Sequence, residues 1–96
     1  MVRFEWDSGK ARRNAAKHGI RFEEAVHVWN DPLRVVLPDR FEDGELRWHA
    51  VGVVGPVTLL VVVHVYPDAG DAERVRIISA RRATPHERSR YEREGA

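Results

Sequence analysis

Residues 74–91 read RVRIISARRATPHERSRY, and the fold turns on where strand gives way to helix within them. Arg74 to Ala80 is rich in β-branched residues and reads as a strand. Thr84-Pro85-His86-Glu87 is a capping box with proline at the first helical position, which predicts a helix over Glu87 to Glu94. The Arg81-Arg82 pair therefore falls at the exit from a sheet, just before a helix N-terminus whose backbone N–H groups favour anions. Strict alternation puts Val75, Ile77, Ser79 and Arg81 on one face and Arg74, Arg76, Ile78, Ala80 and Arg82 on the other. Pairing is expected to end at Ala80, which would free both arginines to meet phosphate.

Upstream, Val2 to Trp6 alternates as a short first strand. Asp7 is placed to N-cap a helix running to Lys17 or His18, with Gly19 as its stop. That helix has Ala11, Ala15 and His18 on one side and Lys10, Arg13, Asn14 and Lys17 on the other, so its polar face is basic. Phe22, Ala25, Val26 and Trp29 recur at helical spacing and predict a second helix, ended by Asn30-Asp31-Pro32. Leu33 to Leu37 reads as a strand, Pro38 to Glu45 as a polar turn, and Leu46 to Val54 as the next strand. Gly55-Pro56 then leads to a strand over Val57 to Tyr66. The short turns imply antiparallel neighbours. The order β-α-α-β-β-β-β-α is an α+β arrangement: two N-terminal helices on a curled, mainly antiparallel sheet of four to five strands, closed by a C-terminal helix.

The 96 residues suffice for one hydrophobic core and read as a single domain, 1–96. The absence of cysteine excludes disulfides and thiolate metal sites, and fits a reducing cytoplasm. No secretory h-region stands at the N-terminus, and VTLLVVVHV is too short to span a bilayer, so a soluble intracellular protein is expected, with no membrane partner. Net charge is only +1, but it is segregated. Lys10 to Arg21 contains only basic charges, while Asp39, Glu42, Asp43 and Glu45 cluster mid-chain.

FEWD, then KHGIRFEEA, then NDP, then RIISARRATPHERSRYE, in this order from Phe4 to Glu92, resembles the BrnT family of bacterial toxins. The most specific pieces are Lys17-His18-Gly19 with Phe22-Glu23-Glu24-Ala25, and Ile77-Ile78-Ser79-Ala80-Arg81-Arg82-Ala83. Arg21 stands where members often have a capping serine, which implies a weaker start to the second helix, and Ser8 stands where they often have proline. The resemblance implies a RelE-like fold and a ribonuclease that stops translation. It also implies a BrnA-type antitoxin that neutralises the toxin in a hetero-oligomer and carries the contact to operator DNA.

Metal-free RNA cleavage needs a base for the 2′-hydroxyl, cations for the phosphorane and an acid for the leaving 5′-oxygen. The sequence supplies histidine and arginine and no acidic cluster at metal-ligand spacing, so no cofactor is expected. The candidates for catalysis are Arg81, Arg82, His64 and Arg47; those for RNA binding are Lys17, Arg76, Arg88 and Tyr91. Each has a structural alternative. Arg81 or Arg82 can pair with Glu87 or Glu92, and His64, inside VVVHV, can be a core residue. Arg47 can lie over Trp48, Lys17 and His18 can finish their helix, and Tyr91 can anchor the last helix by its ring. Trp6, Phe22 and Trp29 are assigned to the core. A non-catalytic RNA- or protein-binding module would use the same basic surface, and a DNA-binding repressor acting alone would need a recognition helix that the sequence lacks.

Overall fold

Asp7 and Gly19 bound the first helix as their chemistry predicts. The Asp7 carboxylate accepts the Lys10 N–H at 2.9 Å, and Gly19 turns left-handed and returns its N–H to Ala15 O. The computed structural model describes residues 1–95. Its elements are β1 (Arg3–Glu5), α1 (Ser8–His18), α2 (Phe22–Ala25), a 3₁₀ segment (Val26–Asn30), β2 (Val35–Glu42), β3 (Glu45–Val54), β4 (Thr58–Val65), β5 (Arg74–Arg82) and α3 (Pro85–Gly95).

The expected second helix is a single α turn that tightens into 3₁₀ geometry. Arg21 offers no side-chain acceptor for its first turn, although Glu24 reaches back to the Arg21 N–H at 3.4 Å. The β-branched Val26 and Val28 then lower the preference for continued α-helix. The tightening changes the buried stripe: Phe22 and Ala25 are fully buried as expected, but Val28 joins them while Val26 and Trp29 are only partly buried.

The sheet is open, five-stranded and mixed, in the order β1-β5-β4-β3-β2. β1 runs parallel to β5 and the other pairs are antiparallel. The expected polar turn at Pro38 to Glu45 is mostly strand. β2 continues through Pro38, tolerable because β2 is an edge, and a register shift follows between Pro38 and Phe41. The turn is only Asp43-Gly44, both at positive φ, the geometry of a two-residue hairpin.

Two clusters occupy the two faces. Under α1, α2 and the 3₁₀ segment lie Ala50, Leu60, Val62, Val75, Ile77 and Ala80, with Ile20, Phe22, Ala25 and Val28. The other face packs Val51, Leu59 and Val61 against Ala83 and Tyr91 at the start and middle of α3. Gly52 allows the close approach of the first layer, since a Cβ there would stand 2.9 Å from Val28 Cγ1. α3 covers one end of its face; β1 and β2 remain free edges, so the helix does not close the sheet.

Candidate active site

Pairing of β5 with β4 continues to Arg81 and Arg82, opposite Val61 and Leu60, so the expected end at Ala80 is corrected. The two arginines therefore leave on opposite faces. Strict alternation along β5 is also broken: Val63 pairs with Ser79 and His64 with Ile77, leaving Ile78 as an extra residue. This bulge is why Ile77 and Ala80 bury on the same face.

Arg81 emerges on the α3 side and is held bidentately by Glu87, at 2.7 and 2.8 Å. Glu87 also accepts the Thr84 N–H at 2.9 Å, while Thr84 Oγ1 accepts the Glu87 N–H, completing the capping box that starts α3. The Arg81 guanidinium, helped by the Thr84 N–H, outweighs partial burial and holds the Glu87 carboxyl at about 2. Sequence, cap and charge pair thus fix Arg81 at the foot of α3.

Beside this pair, a cavity of about 190 Å³ opens between α3 and strands β2 and β3. Its walls are Val35, Leu37, His49 and Val51 of the sheet and His86, Glu87, Arg90 and Tyr91 of α3. The His49 Nε2 stands 3.3 Å from Asp39 Oδ2, so a carboxylate orients the imidazole. His86 is exposed at the start of α3, and Arg90 pairs with Glu94 at 3.3 Å.

Tyr91 donates its hydroxyl to Asp31 Oδ2 at 2.6 Å. The same carboxylate accepts the N–H groups of Val53 and Leu33, each at 2.8 Å. Burial pushes the Asp31 carboxyl up, but these donors together hold it below the usual range. Burial first, then the bond to Asp31, pushes the Tyr91 hydroxyl up to about 12. The Asn30-Asp31-Pro32 segment is therefore a clamp: it takes the N–H of β3 beyond the start of β2 and ties down α3.

The remaining candidates divide by face. Arg47 and Arg76 share the α3 face but lie toward the β1 end. Arg47, 17% exposed, pairs with Glu42 at 2.8 Å and Asp43 at 3.9 Å. Arg76 pairs with Glu5 at 3.0 Å and Glu45 at 3.9 Å. Arg47 does not lie over Trp48, because adjacent strand residues diverge and Trp48 packs edge-to-face on Tyr66, 5.6 Å between centroids. Arg82 and Arg88 are exposed and line a separate hollow with Val57, Thr58, Leu59 and Ala83. Lys17 sits on α1 in another groove.

His64 lies in the other layer, fully buried. Its ring meets Trp29 and Tyr66 edge-on at 5.0 and 5.1 Å. Nδ1 is 3.2 Å from Val62 O and Nε2 is 3.2 Å from the Tyr66 hydroxyl, which suits a neutral ring with its proton on Nδ1. Burial lowers its pKa to about 4, so at neutral pH it is an uncharged core group. Trp6, Phe22 and Trp29 pack in the core layer as expected.

Sequence reasoning passed over His49, His86, Arg90 and Asp39. His49 was within reach, since it shares the alternating face of Arg47. Asp39 was hidden by reading Pro38 as the start of a turn. Among the described residues no three His, Asp or Glu side chains group as a metal site.

A five-stranded mixed sheet with two helices and a 3₁₀ segment on one face, and on the other a short polar helix over a cleft that holds two histidines, one arginine and one glutamate, defines a small α+β protein. Residues 6–87 match the family of BrnT ribonuclease toxins of type II toxin–antitoxin systems. The chain belongs to that family. Its structure is similar to that of the Brucella abortus ribonuclease toxin BrnT, with 25% identity, a TM-score of 0.68, and coverage of 88% of this chain and 99% of that one. Comparison with curated proteins gives no match. The RelE-like expectation of three helices on a mainly antiparallel sheet is borne out by this likeness. No helix among the described residues is long and apolar enough to cross a membrane.

Proposed function

We propose that the chain cleaves RNA without a metal ion, by attack of a ribose 2′-hydroxyl on the adjacent phosphate in the cleft under α3. The observation that carries this reading is the cavity that brings together His49, backed by Asp39, and His86, beside the Arg81–Glu87 pair. The other titratable groups at hand are unsuited to proton transfer at neutral pH. Glu87 is held at about 2, the Tyr91 hydroxyl stands at about 12 and is committed to Asp31, and His64 is neutral inside the core.

In this scheme neutral His49 takes the 2′-hydroxyl proton as the oxygen bonds to phosphorus, with Asp39 stabilising the imidazolium that forms. The bond from phosphorus to the 5′-oxygen breaks, and His86 in its protonated form supplies the proton to that oxygen. Products are a 2′,3′-cyclic phosphate and a 5′-hydroxyl. Arg81 and Arg90 stabilise the charge on the phosphorane, worth roughly 3 kcal/mol for one well-placed donor. Arg47 and Arg76 lie along the same face and are assigned to flanking RNA. His64, Arg82 and Arg88 lie outside the cleft and are left out of the site.

Residues 1–96 act as a single domain in the cytoplasm, cleavage stops translation, and a BrnA-type antitoxin neutralises the toxin in a hetero-oligomer that reaches operator DNA through the antitoxin. Family membership supports this reading. The test is the fate of a defined RNA in chelator: cyclic-phosphate ends that depend on His49 and His86 are expected. A wild-type protein that binds RNA and leaves it intact would overturn the catalytic reading.

A further inference from the structure

α1 carries Lys10, Arg12, Arg13 and Lys17 and no acidic residue. The sheet arginines Arg47, Arg74, Arg76 and Arg81 each have a carboxylate within 4.0 Å; among the described residues none of the four α1 cations does. Three of them, Lys10, Arg13 and Lys17, line a groove of about 270 Å³ together with Asn14 and His18 of α1 and Ile78 and Ser79 at the outer side of β5. β1 covers that edge of β5 only at Arg74 to Arg76, so the groove runs beside strand that β1 leaves free.

The three cations recur at i, i+3 and i+7, a row about 10 Å long at 1.5 Å per residue. Ser79, which lines the groove, is two residues from Arg81 on the same face, about 7 Å along the strand. The groove opens at the β5 edge and the cleft lies over β2 and β3, so an RNA strand held in the groove reaches the cleft by passing β5 and β4. His18 and Ile78 are half-buried in the groove, one imidazole and one aliphatic side chain beside the three cations. A docked protein would need a wider apolar centre than Ile78 alone supplies, and His18 offers a single ring, so the three cations dominate the groove and favour phosphate. Phosphate needs only the cations.

We infer that the α1 groove is a second, sequence-independent RNA site, in which Lys10, Arg13 and Lys17 hold backbone phosphates of the substrate away from the scissile bond. The inference rests on the ribonuclease reading for the identity of the strand, but its own test is binding. The triple variant Lys10→Ala/Arg13→Ala/Lys17→Ala is compared with wild type on an RNA of roughly 20 nucleotides bearing 2′-O-methyl groups, which cannot be cleaved. Loss of three phosphate contacts is expected to reduce the slope of log affinity against log salt by about 2. On cleavable RNA of that length KM rises with kcat unchanged, while a trinucleotide is processed equally by both proteins. Lys10→Arg/Lys17→Arg retains wild-type binding. An unchanged salt slope in a folded triple variant overturns the inference, as does unchanged RNA binding with lost affinity for an acidic polypeptide, which would make the groove a protein-docking face. If wild type binds RNA and cleaves nothing, the catalytic reading fails and the groove still stands or falls on the slope.

Discussion

Replacing Asn14 by alanine is expected to destabilise the protein severely, although Asn14 lies on an otherwise basic, exposed helix face. Its side chain is 6% exposed and makes three hydrogen bonds. Nδ2 donates to Ile20 O and to Ala80 O, both at 2.9 Å, and Oδ1 accepts the Ala80 N–H at 3.0 Å. Asn14 thus takes the place of a neighbouring strand at the free edge of β5 and fixes the loop after α1 to it. Truncation leaves one buried donor and two carbonyls short of a partner, at about 1 kcal/mol each or more, so a loss of about 3 kcal/mol is expected. For a domain of this size that is a fall in Tm of roughly 12 to 24 °C, read by circular dichroism. Asn14→Asp keeps the bond from Ala80 N–H but sets a carboxylate against two carbonyls, so it should be no better than alanine at neutral pH and improve in acid. A drop of less than about 4 °C for Asn14→Ala would refute the strand-mimic account.

The Arg81–Glu87 pair predicts a pH dependence. The Glu87 carboxyl titrates at about 2 when folded, against the usual 4.5. Its stabilisation is therefore complete above about pH 5 and is lost as pH falls through the folded value; discounted for partial exposure it amounts to about 1 to 2 kcal/mol. In acid titrations Glu87→Gln should remove that part of the pH dependence, and an unchanged profile would contradict the pairing. Tyr91→Phe should cost about 1.5 to 3 kcal/mol by urea unfolding, since it strips the carboxylate of Asp31 of a donor, while leaving kcat on RNA within a few-fold. A large loss of kcat in a stable Tyr91→Phe protein would make the hydroxyl part of the chemistry. Gly52→Ala should destabilise by about 1 to 3 kcal/mol in thermal melts, because its Cβ would strike Val28 Cγ1 at 2.9 Å and Val28 O at 3.2 Å. A neutral effect would mean that the 3₁₀ segment yields.

What was legible in the sequence was local. Asp7, Gly19 and the Thr84–Glu87 box each encode their structure within a few residues, and each holds; the spacing of Phe22, Ala25, Val26 and Trp29 marks a segment that packs on the core, but as one α turn and a 3₁₀ stretch in which Val28 is fully buried and Val26 and Trp29 only partly. The losses came where a partner far along the chain decides. Pro38 reads as a turn until β2 is known to be an edge strand. Ile78 looks like any strand residue until the pairing of Ser79 with Val63 and Ile77 with His64 shows the bulge. Asn14 looks like part of a solvated face because its partner, Ala80, is 66 residues away. Of the proposed cleft, too, only part could be read from the sequence. Tyr91 lines the cleft and Arg81 reaches it through Glu87, whereas His49 and His86 meet there only because α3 folds back over β2 and β3.

The most direct test of the central claim is to incubate the purified protein with a defined RNA in chelator, beside His49→Ala, His86→Ala, Arg81→Ala and His64→Leu, and to identify the product ends. Cleavage to 2′,3′-cyclic phosphate and 5′-hydroxyl ends by wild type and His64→Leu, lost or sharply reduced in the other three, is the predicted result. Folded His49→Ala and His86→Ala proteins that cleave like wild type, or cleavage that stops without added divalent ion, would contradict the account.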